Sequence, residues 1–160
     1  MEQWLELLPY TRGDYDDDSA KEYLHFIHRI PVDSIDAQPL YRKVNEVVLR
    51  EVDAVFGSLA PQLWRAHVNL GPYGDHFTAH IDSRLRVTAI YYANHEWRDE
   101  WHGETLFYAD GEAVTAVAPR AGRLVLLAGD IVHRVGAPSR LFSGARYTIA
   151  FKFITAEKPS

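Results

Sequence analysis

Two histidines and an aspartate, His80, Asp82 and His133, have the residue types of a metal site. Side chains alternate between the two faces of a β-strand, so His80 and Asp82 share a face if their segment is a strand. Two imidazoles and one carboxylate on one face are the ligand set of non-haem Fe(II) enzymes. That set leaves coordination positions open for a bidentate 2-oxo acid and for O2. The alternative for the His80–Asp82 pair alone is a surface strand with two polar residues.

The last predicted strand, residues 146–154, has one polar and one apolar face. The polar face consists of Arg146, Thr148, Ala150 and Lys152, and the apolar face of Tyr147, Ile149, Phe151 and Phe153. We expect the apolar face to pack under N-terminal helices, which points Arg146 into the interior. A buried, unpaired guanidinium costs several kcal/mol, so it favours an anion such as a distal carboxylate. The alternatives are a surface arginine on an edge strand, and Arg140 as the partner of the anion.

Two hydroxyl side chains, Thr88 and Tyr92, are four residues apart on another predicted strand and therefore share a face. Their hydroxyls could complete a carboxylate pocket with Arg146. Ordinary strand composition is the alternative explanation of the same residues.

Substrate contacts are expected from loops at one end of the sheet region, over 71–79, 94–103 and 134–145. A loop residue that is merely solvated or packed is the alternative in each case. The candidate substrate contacts are Tyr73, Asp75, His76, Trp97, Arg134 and Lys152.

The elements that must position these residues fall into two parts. Three- and four-residue spacing of apolar residues predicts helices over 20–30 and 39–57. After residue 60, β-rich segments separated by turn signals predict strands over 63–70, 76–82, 85–93, 104–109, 113–118, 122–128, 131–135 and 146–154. Short, closely spaced strands favour an antiparallel sandwich or squashed barrel of the jelly-roll type, with the two helices on one sheet. We expect one domain, with helical support over 1–60 and the β core over 61–157.

Composition excludes several classes of protein. The chain has 160 residues, of which 47% are hydrophobic and 24% charged, as in globular proteins. The absence of cysteine excludes disulfides, iron–sulfur clusters and thiol nucleophiles. A net charge of −5 disfavours nucleic-acid binding. The acidic N-terminal sequence and the lack of a long apolar run lead us to expect a cytoplasmic protein without membrane contact.

The ordered set of motifs resembles the Fe(II)/2-oxoglutarate-dependent oxygenases, in particular their prolyl-4-hydroxylase-like branch. The motifs are His80-x-Asp82, the segment Val87–Asn94, Trp97, Gly103-Glu104-Thr105-Leu106, His133-Arg134-Val135 and Arg146, within residues 63–154. The resemblance implies a double-stranded β-helix, Fe(II) held by His80, Asp82 and His133, and 2-oxoglutarate anchored by Arg146. It also implies that Tyr92 and Thr88 contact the same carboxylate of 2-oxoglutarate.

The function implied by this resemblance is hydroxylation of an unactivated C–H bond with release of succinate and CO2, with ascorbate as a candidate reductant. Related halogenases replace the carboxylate ligand by a small residue, so Asp82 favours hydroxylation over halogenation. The short chain favours an amino acid or natural product as substrate. The alternatives are a prolyl residue of a peptide or protein, and a non-catalytic cupin-like module with a metal on His76, His80 and His133. A metal-free carbohydrate binder using Trp97, Trp101 and Tyr73 would leave the order of the metal-site motifs unexplained.

Overall fold

The computed structural model describes residues 3–14, 25–57, 60–75, 77–82 and 86–156. The helices of this part are α1 (Gln3–Glu6), a 3-10 helix (Val32–Ala37), α2 (Pro39–Phe56) and a second 3-10 helix (Asp99–Trp101). The strands are β1 (Thr11–Asp14), β2 (His25–Ile30), β3 (Gln62–Gly71), β4 (Arg86–Tyr92), β5 (Thr105–Ala109), β6 (Glu112–Val117), β7 (Leu124–Ala128), β8 (His133–Val135) and β9 (Arg146–Ile154).

The strands form two antiparallel sheets. The larger sheet has the order β1-β2-β3-β9-β4-β7, and the smaller one has the order β6-β5-β8. The strand pairs of the described residues are all antiparallel, and four of them join strands far apart in the chain, as in a jelly roll: β3 with β9, β9 with β4, β4 with β7 and β5 with β8. The predicted mainly β, jelly-roll class is therefore confirmed.

The outer face of the larger sheet carries the main hydrophobic core. Three valines of α2, Val44, Val48 and Val52, are buried in one cluster with the apolar face of β9. That face consists of Tyr147, Ile149, Phe151 and Phe153. The helix predicted over 39–57 and the alternation predicted for the last strand are both confirmed, and the polar face of β9 consequently faces the interior between the sheets.

The termini of α2 follow from local sequence. The side-chain Oε1 of Gln38 accepts hydrogen bonds from the backbone N–H groups of Leu40 and Tyr41, at 2.5 and 3.1 Å. Pro39 occupies the first turn, where its missing N–H costs nothing. Gly57 ends the helix at a φ of 80°, a conformation that favours glycine.

The helix predicted over 20–30 is wrong for residues 25–30, which form β2, while residues 20–24 lie outside the described part of the chain. Ile27 and Ile30 lie on opposite faces of this strand, paired with Asn69 and Ala66, and both are buried. Because both faces of β2 are covered, apolar residues can occupy either face. A three-residue spacing of apolar residues is therefore compatible with a strand as well as with a helix.

The strand predicted over 76–82 is also wrong in extent. Its described residues make an isolated bridge from His80 to His133 and a further hydrogen bond from the Phe77 N–H to the Val135 carbonyl. This segment thus extends the smaller sheet beyond β8 without forming a regular strand.

A smaller apolar cluster fills part of the space between the sheets. Ile90, Tyr92 and Leu127 of the larger sheet are buried there, and Phe107 of the smaller sheet packs against them. The polar residues described next share this inner space. None of the helices in the described ranges is both long and apolar enough to cross a membrane.

Candidate active site

The backbone brings the two histidines of the predicted triad side by side. His80 and His133 exchange two backbone hydrogen bonds of 3.0 Å, and their ring centroids are 4.6 Å apart. The N–H of Asp82 donates to the Gly129 carbonyl at 2.8 Å, which fixes the segment on the turn before β8. One potential ligand atom from each of His80, Asp82 and His133 lies within 4.8 Å of the others.

Hydrogen bonds fix the tautomers of both imidazoles. The Nδ1 of His80 lies 2.8 Å from the Thr78 carbonyl oxygen, and the Nδ1 of His133 lies 2.9 Å from that of Ile131. A carbonyl oxygen is an acceptor, so each Nδ1 carries the proton and donates it. In a neutral imidazole of this tautomer, Nε2 keeps its lone pair, as metal binding requires.

Burial further favours the ligand form of one histidine. Desolvation lowers the pKa of His133, and His80 acts in the same direction, while Asp82 raises it. The net lowering favours neutral imidazole. Two imidazoles and a carboxylate are a donor set that fits Fe(II).

Both oxygens of Asp82 are held by side chains of the larger sheet. Thr88 Oγ1 donates to Oδ2, and Lys152 Nζ lies 2.8 Å from Oδ1. The Asp82 and Lys152 side chains are 1% and 6% exposed. The structure therefore places Thr88 and Lys152 on Asp82; Thr88 was expected at the 2-oxoglutarate carboxylate, and Lys152 at the substrate.

A second polar cluster surrounds Arg146, which is 2% exposed at the start of β9. Its Nη2 donates to Thr105 Oγ1 at 3.3 Å, and its Cζ lies 5.1 Å from the centroid of the Tyr92 ring. The Tyr92 hydroxyl is 2.6 Å from the same Thr105 oxygen. Burial lowers the pKa of Arg146, against the opposing effects of Tyr92 and Glu104.

The Arg146 cluster fits the distal carboxylate of a dicarboxylic acid. The Arg146 Nε is buried and has no hydrogen-bond partner among the described residues. A buried cationic donor without an acceptor is costly, and a carboxylate would satisfy it. Arg146 also shares the inner face of β9 with Lys152, so this cluster and the triad open into the same space.

A cluster of rings closes the Arg146 end. Trp97, Trp101 and Phe142 pack together, with ring centroids 4.4 to 5.6 Å apart. Gly103 lies between them and Arg146 at a φ of +80°, and an added Cβ would lie 3.2 Å from Arg146 Cδ and 3.3 Å from Trp97 Cζ2. Trp97, an expected substrate contact, is thus placed in this packing against the Arg146 end.

Among the described residues, the contacts found for the triad and for Arg146 do not include any of the other residues considered from sequence. Tyr73 is 62% exposed in the turn after β3, and Asp75 is half-buried in the same turn. Arg134 Nε donates to the Tyr108 hydroxyl. Arg140 is exposed, so Arg146 is the arginine in the pocket. His76 lies outside the described residues.

Sequence reasoning missed Thr105 as a member of the Arg146 cluster. Thr105 belongs to the smaller sheet and is fully buried. The available signal was a threonine at the start of a predicted strand, directly after Gly103 and Glu104. This signal does not reveal which residue of the other sheet the threonine contacts.

Comparison with known proteins agrees with this geometry. The sequence model of the 2OG-Fe(II) oxygenase superfamily matches residues 65–153, which is more than half of the chain. No significant match was found among curated protein sequences.

Several solved structures share the fold. A Pseudomonas putida prolyl-4-hydroxylase aligns with a TM-score of 0.66 and 22% identity, covering 83% of this chain and 70% of its own. A Burkholderia pseudomallei oxidoreductase of the 2OG-Fe(II) oxygenase family aligns with a TM-score of 0.67 and 13% identity. The alignment covers 96% of this chain and 76% of the other. A Trichoplax adhaerens prolyl hydroxylase, solved with a hypoxia inducible factor peptide fragment, aligns with a TM-score of 0.64 and 21% identity. The alignment covers 81% of this chain and 62% of the other.

The match over β3 to β9 includes both histidines, the aspartate and the buried arginine. With a donor set suited to Fe(II) and a pocket suited to a dicarboxylate, the chain belongs to the 2OG-Fe(II) oxygenase superfamily, as a 2-oxoglutarate-dependent non-haem iron oxygenase that uses Fe(II), 2-oxoglutarate and O2.

Proposed function

We propose that this protein hydroxylates an unactivated C–H bond of a small molecule such as an amino acid or natural product. In this proposal His80, Asp82 and His133 hold Fe(II), and Arg146, Tyr92 and Thr105 hold 2-oxoglutarate. The observation that carries the assignment is the buried Arg146, whose Nε lacks a partner among the described residues while its face of β9 leads to Asp82.

The residues of the triad are prepared to bind a cation. The two Nδ1–H groups donate to carbonyls and keep both Nε2 lone pairs available. Thr88 and Lys152 hold the Asp82 carboxylate in one orientation. Fe(II) and 2-oxoglutarate, when bound, supply the oxidation of a C–H bond by O2, with succinate and CO2 as co-products.

The Arg146 cluster orients the co-substrate and excludes water from its far end. Arg146 supplies charge-assisted hydrogen bonds to a carboxylate, and the hydroxyls of Tyr92 and Thr105 are within reach of the same group. The Trp97 ring and Gly103 close this end, so the other end of a bound diacid points towards the triad.

The second candidate is hydroxylation of a prolyl residue in a peptide or protein. The specific observation in its favour is the shared fold with solved prolyl hydroxylases, one of them in complex with a peptide. The two candidates share the triad and the Arg146 cluster and differ in what binds beyond Asp82.

The test is anaerobic visible absorption of the protein with Fe(II) and increasing 2-oxoglutarate. We expect a weak charge-transfer band that saturates in the wild type. Arg146→Ala should need at least about tenfold more 2-oxoglutarate, because it loses a buried charge-assisted contact. His133→Ala should lose the band and, in air, substrate-dependent succinate release.

The control is Arg50→Ala, which removes an exposed guanidinium of α2 and should titrate like the wild type. Iron binding without any band would contradict the assignment of 2-oxoglutarate. An active His133→Ala enzyme would contradict the triad. Succinate release stimulated by free amino acids or by prolyl peptides then separates the two candidates.

A further inference from the structure

Asn94 lies two residues beyond β4, and its side chain binds the backbone at the start of β9. The residue is 4% exposed. Its Oδ1 accepts a hydrogen bond from the backbone N–H of Tyr147 at 2.8 Å, and its Nδ2 donates to the carbonyl of Ala145 at 3.0 Å. Because an N–H only donates and a carbonyl only accepts, these two partners also fix which way round the amide lies.

The two backbone groups held by Asn94 belong to the two peptide units that flank Arg146. The Ala145 carbonyl belongs to the unit before Arg146, and the Tyr147 N–H belongs to the unit after it. Peptide units are planar, so the backbone at Arg146 can change only by rotation of these two planes about its Cα. One side chain thus restrains both rotations that set the direction of the Arg146 side chain.

The strands on the two sides of β9 support Arg146 differently. On the β3 side, Arg146 is paired in register with Gly71. On the β4 side, the last pair of the ladder is Tyr92 with Thr148. Continuing that antiparallel register places position 94 opposite Arg146, but β4 ends at Tyr92. The Asn94 side chain therefore lies where a longer strand would offer its backbone.

The hydrogen bonds at this edge indicate how the side chain continues the ladder. The Ala93 N–H donates to the Tyr147 carbonyl at 3.0 Å. A regular antiparallel pair exchanges two backbone hydrogen bonds, and here the Tyr147 N–H donates to Asn94 Oδ1. A primary amide carries the same donor and acceptor as a peptide group, so Asn94 adds one more rung to the sheet at Arg146.

The position of the Arg146 guanidinium depends on this backbone. The Nη2–Thr105 distance of 3.3 Å is long for a hydrogen bond, and Nε has no hydrogen-bond partner among the described residues. The guanidinium lies at the end of a long side chain, so a small rotation at the Cα displaces it by a larger distance. A displaced donor fits a carboxylate poorly, because bidentate pairing has a strict geometry.

We infer that Asn94 is a positioning residue for Arg146, which holds the backbone so that the guanidinium is already oriented for the distal carboxylate of 2-oxoglutarate. The inference rests on the proposed function and adds a residue that acts through the anchor without touching the co-substrate. The alternative is that Asn94 only ties β9 to the end of β4 and stabilises the fold. The two differ in one respect: an effect through Arg146 must disappear once the guanidinium is gone.

The test is a double-mutant cycle on the binding of 2-oxoglutarate. The Kd is measured from the anaerobic charge-transfer band with Fe(II) in the wild type, Asn94→Ala, Arg146→Ala and the double variant. We expect Asn94→Ala to raise the Kd about threefold to tenfold, less than Arg146→Ala does. In the Arg146→Ala background the same substitution should leave the Kd unchanged, because there is no guanidinium left to displace.

Binding of Mn(II) alone, followed by its EPR signal, separates positioning from general damage to the fold. Asn94→Ala should keep the wild-type Kd for Mn(II), because metal binding does not use Arg146. Asn45→Ala on α2 is the matched control and should keep both constants. Asn94→Ser retains a hydroxyl that can serve one of the two backbone groups, so it should raise the Kd for 2-oxoglutarate by a smaller factor. It also replaces Asn94→Ala in the cycle if that variant does not fold.

An unchanged Kd for 2-oxoglutarate in Asn94→Ala would overturn the inference. An equal increase with and without the Arg146 guanidinium would do so too, and so would an equal weakening of Mn(II) binding, since both indicate a purely structural role. The cycle tests the proposed function separately. If Arg146→Ala binds 2-oxoglutarate like the wild type, the proposed function itself is contradicted, whereas a loss in Arg146→Ala without a loss in Asn94→Ala overturns this inference alone.

Discussion

At the scale of single residues, Thr105 joins parts of the pocket that the chain keeps far apart. Its hydroxyl contacts Tyr92 of β4 at 2.6 Å and Arg146 of β9 at 3.3 Å, although it belongs to the other sheet. One small side chain thereby sets the position of both larger groups. A substitution at Thr105 therefore tests the pocket while leaving the charge of Arg146 in place.

Thr105→Val keeps the shape and removes the hydroxyl. We expect the apparent Kd for 2-oxoglutarate to rise about threefold to tenfold, the usual cost of one lost hydrogen bond. Titration of the anaerobic charge-transfer band measures it. The control is Thr115→Val on exposed β6, which should leave the Kd unchanged; an unchanged Kd in Thr105→Val would remove Thr105 from the pocket.

Strand alternation made much of this residue-scale arrangement predictable. It placed His80 and Asp82 together and turned Arg146 inwards, and the structure brings the three ligand candidates together. Alternation specifies a face, however, and not the partner on the opposing sheet. Thr105 contacts Arg146, and Lys152 contacts Asp82, from one sheet to the other, so strand alternation could not specify either contact.

At the scale of elements, α2 supports the sheet that carries the site, and the hydroxyl of Tyr41 is among the polar atoms buried on this helix. Tyr41 is 5% exposed and packs edge-on against Trp4, with centroids 5.6 Å apart. Its hydroxyl has no hydrogen-bond partner among the described residues. Burial raises the pKa of Tyr41 from 10.0 to about 12.

This shift gives a prediction for alkaline pH. The unfolded state loses the Tyr41 proton near pH 10, while the folded state keeps it to about pH 12, so stability is full below pH 10 and falls between these values. Between pH 10 and pH 12 the free energy of unfolding of Tyr41→Phe should fall by about 2 kcal/mol less than that of the wild type. At pH 7 the substitution should leave the free energy of unfolding nearly unchanged. Urea unfolding at pH 7 and at several values above pH 10 measures both; parallel pH profiles of the two proteins would contradict the assignment.

The same scale contains the clearest error of sequence reasoning. The helix α2 was predictable because one face is apolar and the other polar, whereas β2 was not. Ile27 and Ile30 lie on opposite, covered faces of β2, which hides the two-residue period of a strand. Long-range pairing with β3, invisible in the local pattern, decides the structure of that segment.

At the scale of the whole molecule, the candidate site depends on both sheets being assembled. His133 and Thr105 come from the smaller sheet, and Thr88, Arg146 and Lys152 come from the larger one. A ligand that binds residues of both sheets binds the folded state and not the unfolded chain. Its binding free energy is therefore added to the free energy of unfolding.

Thermal unfolding should report this linkage without catalysis. Mn(II) with 2-oxoglutarate, each at about 100 times its Kd, should together raise the Tm by roughly 10–20 °C, and EDTA should reverse the shift. Arg146→Ala should keep the shift due to metal and lose the increment due to 2-oxoglutarate, whereas His133→Ala should lose both. A Tm insensitive to metal in the wild type would contradict metal binding between the sheets.

The glycine at position 103 has a consequence for the choice of co-substrate. A Cβ added at Gly103 would lie 3.2 Å from Arg146 Cδ and 3.3 Å from Trp97 Cζ2, so the wall beside the Arg146 side chain is tightly packed. With one carboxylate held at that wall and the other end required at the triad, the proposed pocket would select diacids by their length. We therefore expect a homologue one carbon longer, such as 2-oxoadipate, and a shorter one, such as oxaloacetate, both to bind more weakly than 2-oxoglutarate.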